Sequence, residues 1–341
     1  MKVPIIGIHH QPRTFTDKWI EYCEKNKILY RIIDPYSSNF NKVSEGLDAC
    51  LFHFSHDNIV SSLVGMTIIK TCENAGILTF PNSDSFWHYD DKIAQKYMLE
   101  SINAPVPNTW VFFERDQAIQ WVNERETFPV VFKLRKGAGS ANVRLVERKK
   151  DAVKLINRAF RKGFYTYPSY LYDVKRRSHD ITSFHALCRK LINAPFSLYK
   201  SLVKRTILNR ERNYVYFQEY LPDNLNDTRV TIIGNRAFPV KRLNRKNDFR
   251  ASGSGILDFE NIDLNMINIG FDVSRKCNLQ SAGFDFLYKD GKPVIIELSY
   301  TYPAYSVHIC PGYWDKDLNW HEGHIWPQDA IIEDLVSELH Q

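Results

Sequence analysis

The chain has 341 residues, 44% of them hydrophobic and 25% charged, and a formal net charge of +6. That length is too great for one simple core and fits two or three packed lobes. No apolar run approaches the roughly 20 residues of a membrane helix, and the N-terminal stretch is too short for a signal peptide. The six cysteines are scattered without a C-x-x-C pair. This spacing argues against a zinc ribbon or a disulfide framework, and for reduced, mostly buried thiols in a cytoplasmic protein.

In chain order, PIIGIHH reads as a first buried strand and TDKWIEYCEKNKI as a helix with Thr16 at its N-cap. LYRIIDP and LDACLFHF are further strands, NIVSSLVGMTIIKTCENAG is a long helix, and ILTFPN is a fourth strand. The β-α-β-β-α-β order predicts an open α/β sheet over residues 1–104, closed by the helix DKIAQKYMLESINA. A second unit, 105–216, opens with the strand TWVFF and the helix DQAIQWVNER, capped by Asp116. It continues through FPVVFKLRKGAGSANVRLV, a strand, glycine loop and strand, into the helix KKDAVKLINRAF. A helical insertion at about 163–213 follows, broken at Pro195. A third unit, 217–341, begins within YVYFQEYLP. It contains a strand pair around Gly234-Asn235, a loop from Ser254 to Asp263, a helix from Leu264 to Lys276, a hairpin around Asp290-Gly291 and a closing helix.

The hairpin carries the most chemistry. Asp285 lies in the apolar strand GFDFLY and Glu297 in PVIIELS, and carboxylates in such strands are costly unless paired or bound to metal. A two-residue turn at Asp290-Gly291 pairs Lys289 with Lys292 and sets Asp285 opposite Ile296. A three-residue loop sets Asp285 opposite Glu297 instead, with Ser299 on the same face. Only the longer loop lets the two carboxylates share hard, oxygen-loving Mg²⁺. Lys133 interrupts an apolar strand before glycines at 137 and 139 that can turn backbone N–H groups toward phosphate. The loop has neither the GK[ST] ending of a Walker motif nor the strand-to-helix context of a Rossmann fingerprint.

The order of the pieces runs Asp91-Lys92, then Lys133 with its glycine loop, then Gln218-Glu219. Asp227-x-Arg229, a basic strand with a small-residue loop, and Asp285…Glu297-x-Ser299 follow. This ordered set resembles the ATP-grasp superfamily from Pro81 onward. The resemblance implies an N-terminal open α/β (pre-ATP-grasp) domain followed by a two-lobed ATP-grasp fold, α/β and α+β in class. It implies ATP and one or two Mg²⁺ ions, with Mn²⁺ able to substitute. Lys92, Lys133, Lys136 and the loop containing Gly137, Gly139 and Ser140 would meet the phosphates. Gln218, Glu219 and Leu221 would frame the adenine, and Asp227 would reach the ribose. Arg229 and Lys241 would steady the γ-phosphate, Arg250 would hold a carboxylate or acyl phosphate, and Asp285, Glu297 and Ser299 would bind metal. The family commonly has Asn where this chain has Ser299, and a hydroxyl has the shorter reach.

The implied reaction is ATP-dependent ligation of a small-molecule carboxylate, activated as an acyl phosphate, to an amine. Peptide-like and surface-glycan modification are its possible settings. Kinase chemistry on a small-molecule or sugar acceptor and non-catalytic nucleotide binding are the alternatives. His321-Glu-Gly-His324 is read as a loop rather than a metal pair, and Tyr300, Tyr302, Tyr305 and His308 either line an acceptor pocket or pack. From 174 to 213 ten Lys/Arg stand against Asp180 and Glu211, which leaves the rest of the chain at −2. That segment is either a lid with a solvated basic face or a dock for an anionic substrate or membrane surface, which would make the protein peripheral to the membrane. No nucleic-acid module is recognised, and a homodimer is left open.

Overall fold

The computed structural model describes residues 3–12, 14–54, 58–137, 142–165, 210–244 and 255–340. Among these, the strands in chain order are β1 (Ile5–Ile8), β2 (Leu29–Ile32), β3 (Ala49–Leu51), β4 (Leu78–Phe80), β5 (Thr109–Phe112), β6 (Val130–Lys133), β7 (Val143–Val146), β8 (Val215–Glu219), β9 (Asn226–Ile233), β10 (Arg236–Leu243), β11 (Leu257–Asp258), β12 (Ser281–Lys289), β13 (Lys292–Ser299), β14 (Gly312–Asp315) and β15 (Trp320–Glu322). The chain forms two compact units. The first comprises Met1–Tyr89, Ala94–Pro107 and Asp223–Gln341, and the second Asp90–Ile93 and Asn108–Pro222. The division predicted at 216/217 falls inside β8, so the second unit runs on to Pro222. The N-terminal region and the third predicted unit share one body. Their side chains form one core, in which Trp19, Phe52 and Phe80 pack with Ile233, Phe238, Tyr300 and Ile332.

In the first unit β1 to β4 form a parallel sheet in the order β2-β1-β3-β4. The helix Phe15–Asn26 starts two residues earlier than a Thr16 cap would place it, because Phe15 is itself core. Thr14 is therefore the N-cap and accepts from Thr16 N–H, while the Thr16 hydroxyl turns back to the Gln11 backbone. The larger sheet runs β13-β12-β9-β10-β14-β15, with β11 on β10. Its apolar face, with Val230, Ile232, Phe284, Phe286 and Ile295, packs on Met266, Ile267 and Val273 of the helix Leu264–Lys276. Pro239 is tolerated within β10 because β14 pairs only at Arg236 and Ala237 and β11 only at Lys241 and Arg242. No ladder donor is missing between them.

The second unit is an antiparallel sheet in the order β5-β8-β6-β7. One face, carrying Val130, Phe132, Val215 and Phe217, is covered by the helices Arg115–Glu124 and Lys149–Ala159. Asp116 is not the cap of the first of these. Glu114 holds the N-cap position without a side-chain bond, and Asp116 pairs with Arg115. The five described cysteines are free. Among the described residues no helix is long and apolar enough to cross a membrane.

Candidate functional site

The Asp290-Gly291 turn is the short one. Lys289 pairs with Lys292, and both turn residues take positive φ, 51° and 73°, as a two-residue hairpin turn requires. Simple alternation from this turn would leave Asp285 opposite Ile296. A β-bulge intervenes, so that Phe286 pairs with Ile295 but Asp285 pairs with Glu297. The expected three-residue loop is thus corrected: the extra residue lies in β13, at Ile296, and not in the turn. The physical reason is local. Asp-Gly is stable in a two-residue turn, and Ile295 is 1% exposed in the core, which fixes the register beside the turn. The bulge absorbs the mismatch further along and re-aims the strand. Glu297 is half-buried, and Ser299 lies opposite Gly283 on the same face.

Asp285 also faces Arg229, its partner on β9, and the two form a bidentate pair with Nε to Oδ1 at 2.7 Å and NH2 to Oδ2 at 2.9 Å. Arg242 of β10 adds a third contact, NH2 to Asp285 Oδ2 at 2.8 Å. It also grips Asp227 through Nε to Oδ1 at 2.6 Å and NH2 to Oδ2 at 2.7 Å. Asp285, Asp227 and Arg242 are only 5%, 6% and 8% exposed. Two carboxylates and two guanidiniums thus form an electrically balanced cluster under the sheet surface, where an unpaired charge would be prohibitive. Burial works against the charge on Asp285, but Arg229 and Arg242 outweigh it and hold the carboxyl below the usual range. Burial, then the Asp285 charge, pushes Asp227 up to about 6 against the pull of Arg242 and Arg229.

A carboxylate offers about four lone-pair directions. The arginines take three on Asp285, leaving one on Oδ1, and the register sets Glu297 opposite Asp285 on the same sheet face. These are hard oxygen donors, suited to Mg²⁺ held largely by phosphate oxygens. The Ser299 hydroxyl accepts from Thr301 N–H at 3.2 Å. Among the described residues no three His, Cys, Asp or Glu side chains cluster for a metal.

On the second unit, the register sets Lys133 beside Tyr216, and Val131 beside Gln218. Lys133 and Gln218 therefore share the sheet face opposite the two helices, both almost fully buried. Gln218 Nε2 donates to Thr109 Oγ1 at 3.2 Å. Glu219 lies on the other side of the strand and accepts from Asn108 N–H at 3.0 Å. The first turn of the glycine loop is pinned. Gly137 N–H donates to Asp90 Oδ1 at 2.8 Å, and Lys92 Nζ donates to the Gly137 carbonyl at 3.0 Å. Arg135 meets Asp91 and Glu211, and its backbone N–H donates to Tyr214 Oη at 2.8 Å. Lys92 in this structure thus holds loop backbone. Lys136 is half-buried at the same turn, and Leu221 is buried.

Several expectations are redistributed. Lys241 lies on the face of β10 opposite Arg242, because Val240 pairs with Arg229 and Lys241 with Thr228. It bonds Asp258 at 3.2 Å, so Lys241 and Arg229 do not share a face. Both Asp227 oxygens are taken by Arg242, where a ribose contact was expected. Arg250, Gly139 and Ser140, and positions 166–209 of the basic segment, lie outside the described residues. His321 and Glu322 belong to β15 and not to a loop. His321 Nε2 lies 2.8 Å from Asp315 Oδ2, and His324 Nδ1 lies 3.0 Å from the carbonyls of His308 and Cys310. Tyr300 and Tyr302 are buried, their hydroxyls bonded to the Phe54 carbonyl and to Ser281 Oγ, whereas Tyr305 is exposed. The residue missed was Arg242. Its signal was available: it alternates with Phe238 and Val240, and so shares the Arg229 face.

A parallel α/β sheet, a small antiparallel lobe with a strand lysine and glycine loop, and a larger antiparallel lobe with opposed carboxylates are the parts of an ATP-grasp fold. No sequence-family profile and no curated protein sequence matches the chain. Solved structures do. The ATP-grasp ligase PsnB, complexed with precursor peptide PsnA2 and AMPPNP, is 11% identical with a TM-score of 0.59, covering 100% of both chains. The D-alanine–D-alanine ligase of Bacillus anthracis, complexed with ATP, is 13% identical with a TM-score of 0.57, covering 100% of this chain and 99% of the other. A RimK-domain ATP-grasp protein from Sphaerobacter thermophilus is 12% identical with a TM-score of 0.53, covering 98% and 99%. The chain therefore has the ATP-grasp fold across its length.

Proposed function

We propose that this chain is an ATP-dependent ligase that activates a carboxylate as an acyl phosphate and joins it to an amine, releasing ADP and phosphate. The observation that carries the reading is the Asp285–Glu297 pair, set beside Arg229 and Arg242 on one sheet of an ATP-grasp fold. Asp285, through its remaining Oδ1 direction, and Glu297 would hold one or two Mg²⁺ ions, with Ser299 as a further oxygen. Bound there, Mg²⁺ supplies neutralisation of charge on phosphate oxygens. Arg229 spends two of its five N–H donors on Asp285 and keeps the rest for the transferring phosphoryl group. Arg242 fixes the orientation of Asp285. Lys133, Lys136 and the loop from Gly137 through Gly139 and Ser140 would cover the phosphates. Gln218 and the Glu219–Leu221 backbone would meet the adenine, and Arg250 the substrate carboxylate. Lys241, turned to the other face, is the weakest member of the set. No protein nucleophile is required, since catalysis rests on positioning and charge.

One relative by fold is seen with a precursor peptide and another is a D-alanine–D-alanine ligase. Peptides and amino acids are therefore the first acceptors to screen. The test is Mg²⁺-dependent ADP release with pooled amino acids, peptides and sugar acids, followed by hydroxylamine trapping. A ligase yields a hydroxamate. ADP release without hydroxamate would replace the ligase with a kinase, and no ADP release with any pool would sink both.

A further inference from the structure

A second charged surface lies on the second unit, away from the face that carries Lys133 and Gln218. Eight Lys/Arg between positions 142 and 165, with Arg210 and Arg212, stand against only Glu147, Asp151 and Glu211. The surplus of seven exceeds the net charge of the whole chain, and all ten cations are exposed. Their placement follows from the helix Lys149–Ala159. Ala152, Ile156 and Ala159 are buried against the sheet. Lys150, Lys154 and Arg158, spaced i, i+4, i+8, therefore form one outward row. The helix covers the sheet face opposite Lys133. These cations thus point away from the side where a nucleotide phosphate would meet Lys133.

The far end of the row is pre-ordered. Arg158 lies 4.5 Å from the Phe164 ring centroid and donates to the Gly163 carbonyl at 3.2 Å, and Arg144 approaches the same ring at 5.8 Å. Arg210 sits 4.5 Å over Tyr165 and bonds both its hydroxyl and the Lys162 carbonyl. Guanidiniums already held in place lose less side-chain freedom when an anion arrives. Like charges crowded in this way repel one another, and their mutual cost is relieved by an anionic partner.

We infer that this strip docks an acidic polypeptide segment through carboxylates. The row advances about 6 Å per cation along the helix, close to the roughly 6.6 Å between same-side residues of an extended peptide. An extended chain acidic at alternate positions would therefore meet Lys150, Lys154 and Arg158 in step. Single-stranded nucleic acid is disfavoured, because it binds through aromatics that stack with bases, whereas Phe164 is 4% exposed and the half-buried Tyr165 ring is already covered by Arg210. A membrane surface is disfavoured because the described strip exposes no large apolar side chain for insertion. The inference concerns binding alone and stands or falls independently of the ligase reading.

The test uses the full chain and fluorescein-labelled poly-L-glutamate, followed by anisotropy across a salt series, with poly-L-glutamine, oligothymidylate and phosphatidylserine vesicles as parallel probes. The wild type should bind poly-L-glutamate, progressively less as salt screens the charges, and should not bind poly-L-glutamine. The K150E/K154E variant, altered only at exposed positions, should weaken binding roughly tenfold or more with an unchanged melting curve. Absent binding, or equal binding by the variant, would overturn the inference. Tighter, variant-sensitive binding of oligothymidylate or vesicles would overturn it in favour of a polyphosphate or lipid surface.

Discussion

Among the described residues Arg242 is the sole side chain that bonds both buried aspartates, so its removal is the sharpest perturbation of the site. In Arg242→Met the flexible thioether fills much of the volume, but three contacts of 2.6–2.8 Å disappear. The cluster passes from neutral to one net negative charge. Stripping one partner from a buried ion pair costs about 3–5 kcal/mol, and Asp227, left without its clamp, bears most of that loss. Its carboxyl already stands at about 6 and rises further without the guanidinium. A folded-state value above the ordinary carboxylate value of about 3.9 means that the native state binds the extra proton. Stability then falls as pH rises through the raised value. The deficit of Arg242→Met should therefore be full near about pH 8 and shrink toward about pH 5, by about 1.4 kcal/mol for each further unit that Asp227 is raised. Urea unfolding followed by tryptophan fluorescence at both pH values measures it. The Asp227→Asn/Arg242→Met double variant should recover part of the loss, since the sites are in contact and non-additive. A loss below about 1 kcal/mol, or one equal at both pH values, would refute the claim that Arg242 neutralises this pair.

Glu297→Gln should lower Mg²⁺-dependent ADP release by roughly a hundredfold with little effect on unfolding, whereas Asp285→Asn should lose both activity and stability, because it also unbalances Arg229 and Arg242. Similar urea midpoints for the two variants would count against the cluster. Asp90→Ala removes the acceptor of Gly137 N–H, which should raise KM for ATP several-fold and leave kcat nearly unchanged; a kcat effect alone would contradict a loop-positioning role. His88 is 1% exposed and burial pushes it down to about 4. Its neutral form contributes stability that is full above about pH 6.5 and lost as pH falls toward 4, up to about 3 kcal/mol. His88→Gln should flatten the urea-midpoint curve over that window, and an unchanged slope would rule His88 out as its source.

Much of this was legible because it rests on local periodicity. The helix Leu264–Lys276 was bounded correctly, and the structure adds Asp263 as its N-cap; the strand pair β9–β10 was placed by Gly234-Asn235. The Asp285–Glu297 opposition was legible as a possibility, since same-face alternation is a property of any strand. The bulge that produces it was not, because burial of Ile295 against the helix Leu264–Lys276 is a tertiary matter. β14 and β15, GYWD and WHE, are too short and too polar at alternate positions to declare themselves. Arg242 was hidden by its neighbour. In a Lys-Arg pair composition cannot tell which cation is buried, and Asp227, which decides the matter, is fifteen residues away.

The arginine clasp changes what the paired carboxylates can do. Asp285 alone would attract a divalent cation strongly, but here two guanidiniums hold its charge and leave a single lone-pair direction open. With Asp227 included, the four charges cancel. Under the ligase reading, Glu297 and the accompanying phosphate oxygens would supply most of the counter-charge for a divalent ion at this sheet, and Asp285 little of it. Metal affinity should then be weak without nucleotide and strong with it, the behaviour expected of Mg²⁺ held by few protein oxygens. The same clasp lowers the proton affinity of Asp285, so the one open ligand direction stays available well into acid. Loss of activity on acidification should accordingly follow Asp227, whose protonation loosens Arg242, before it follows Asp285.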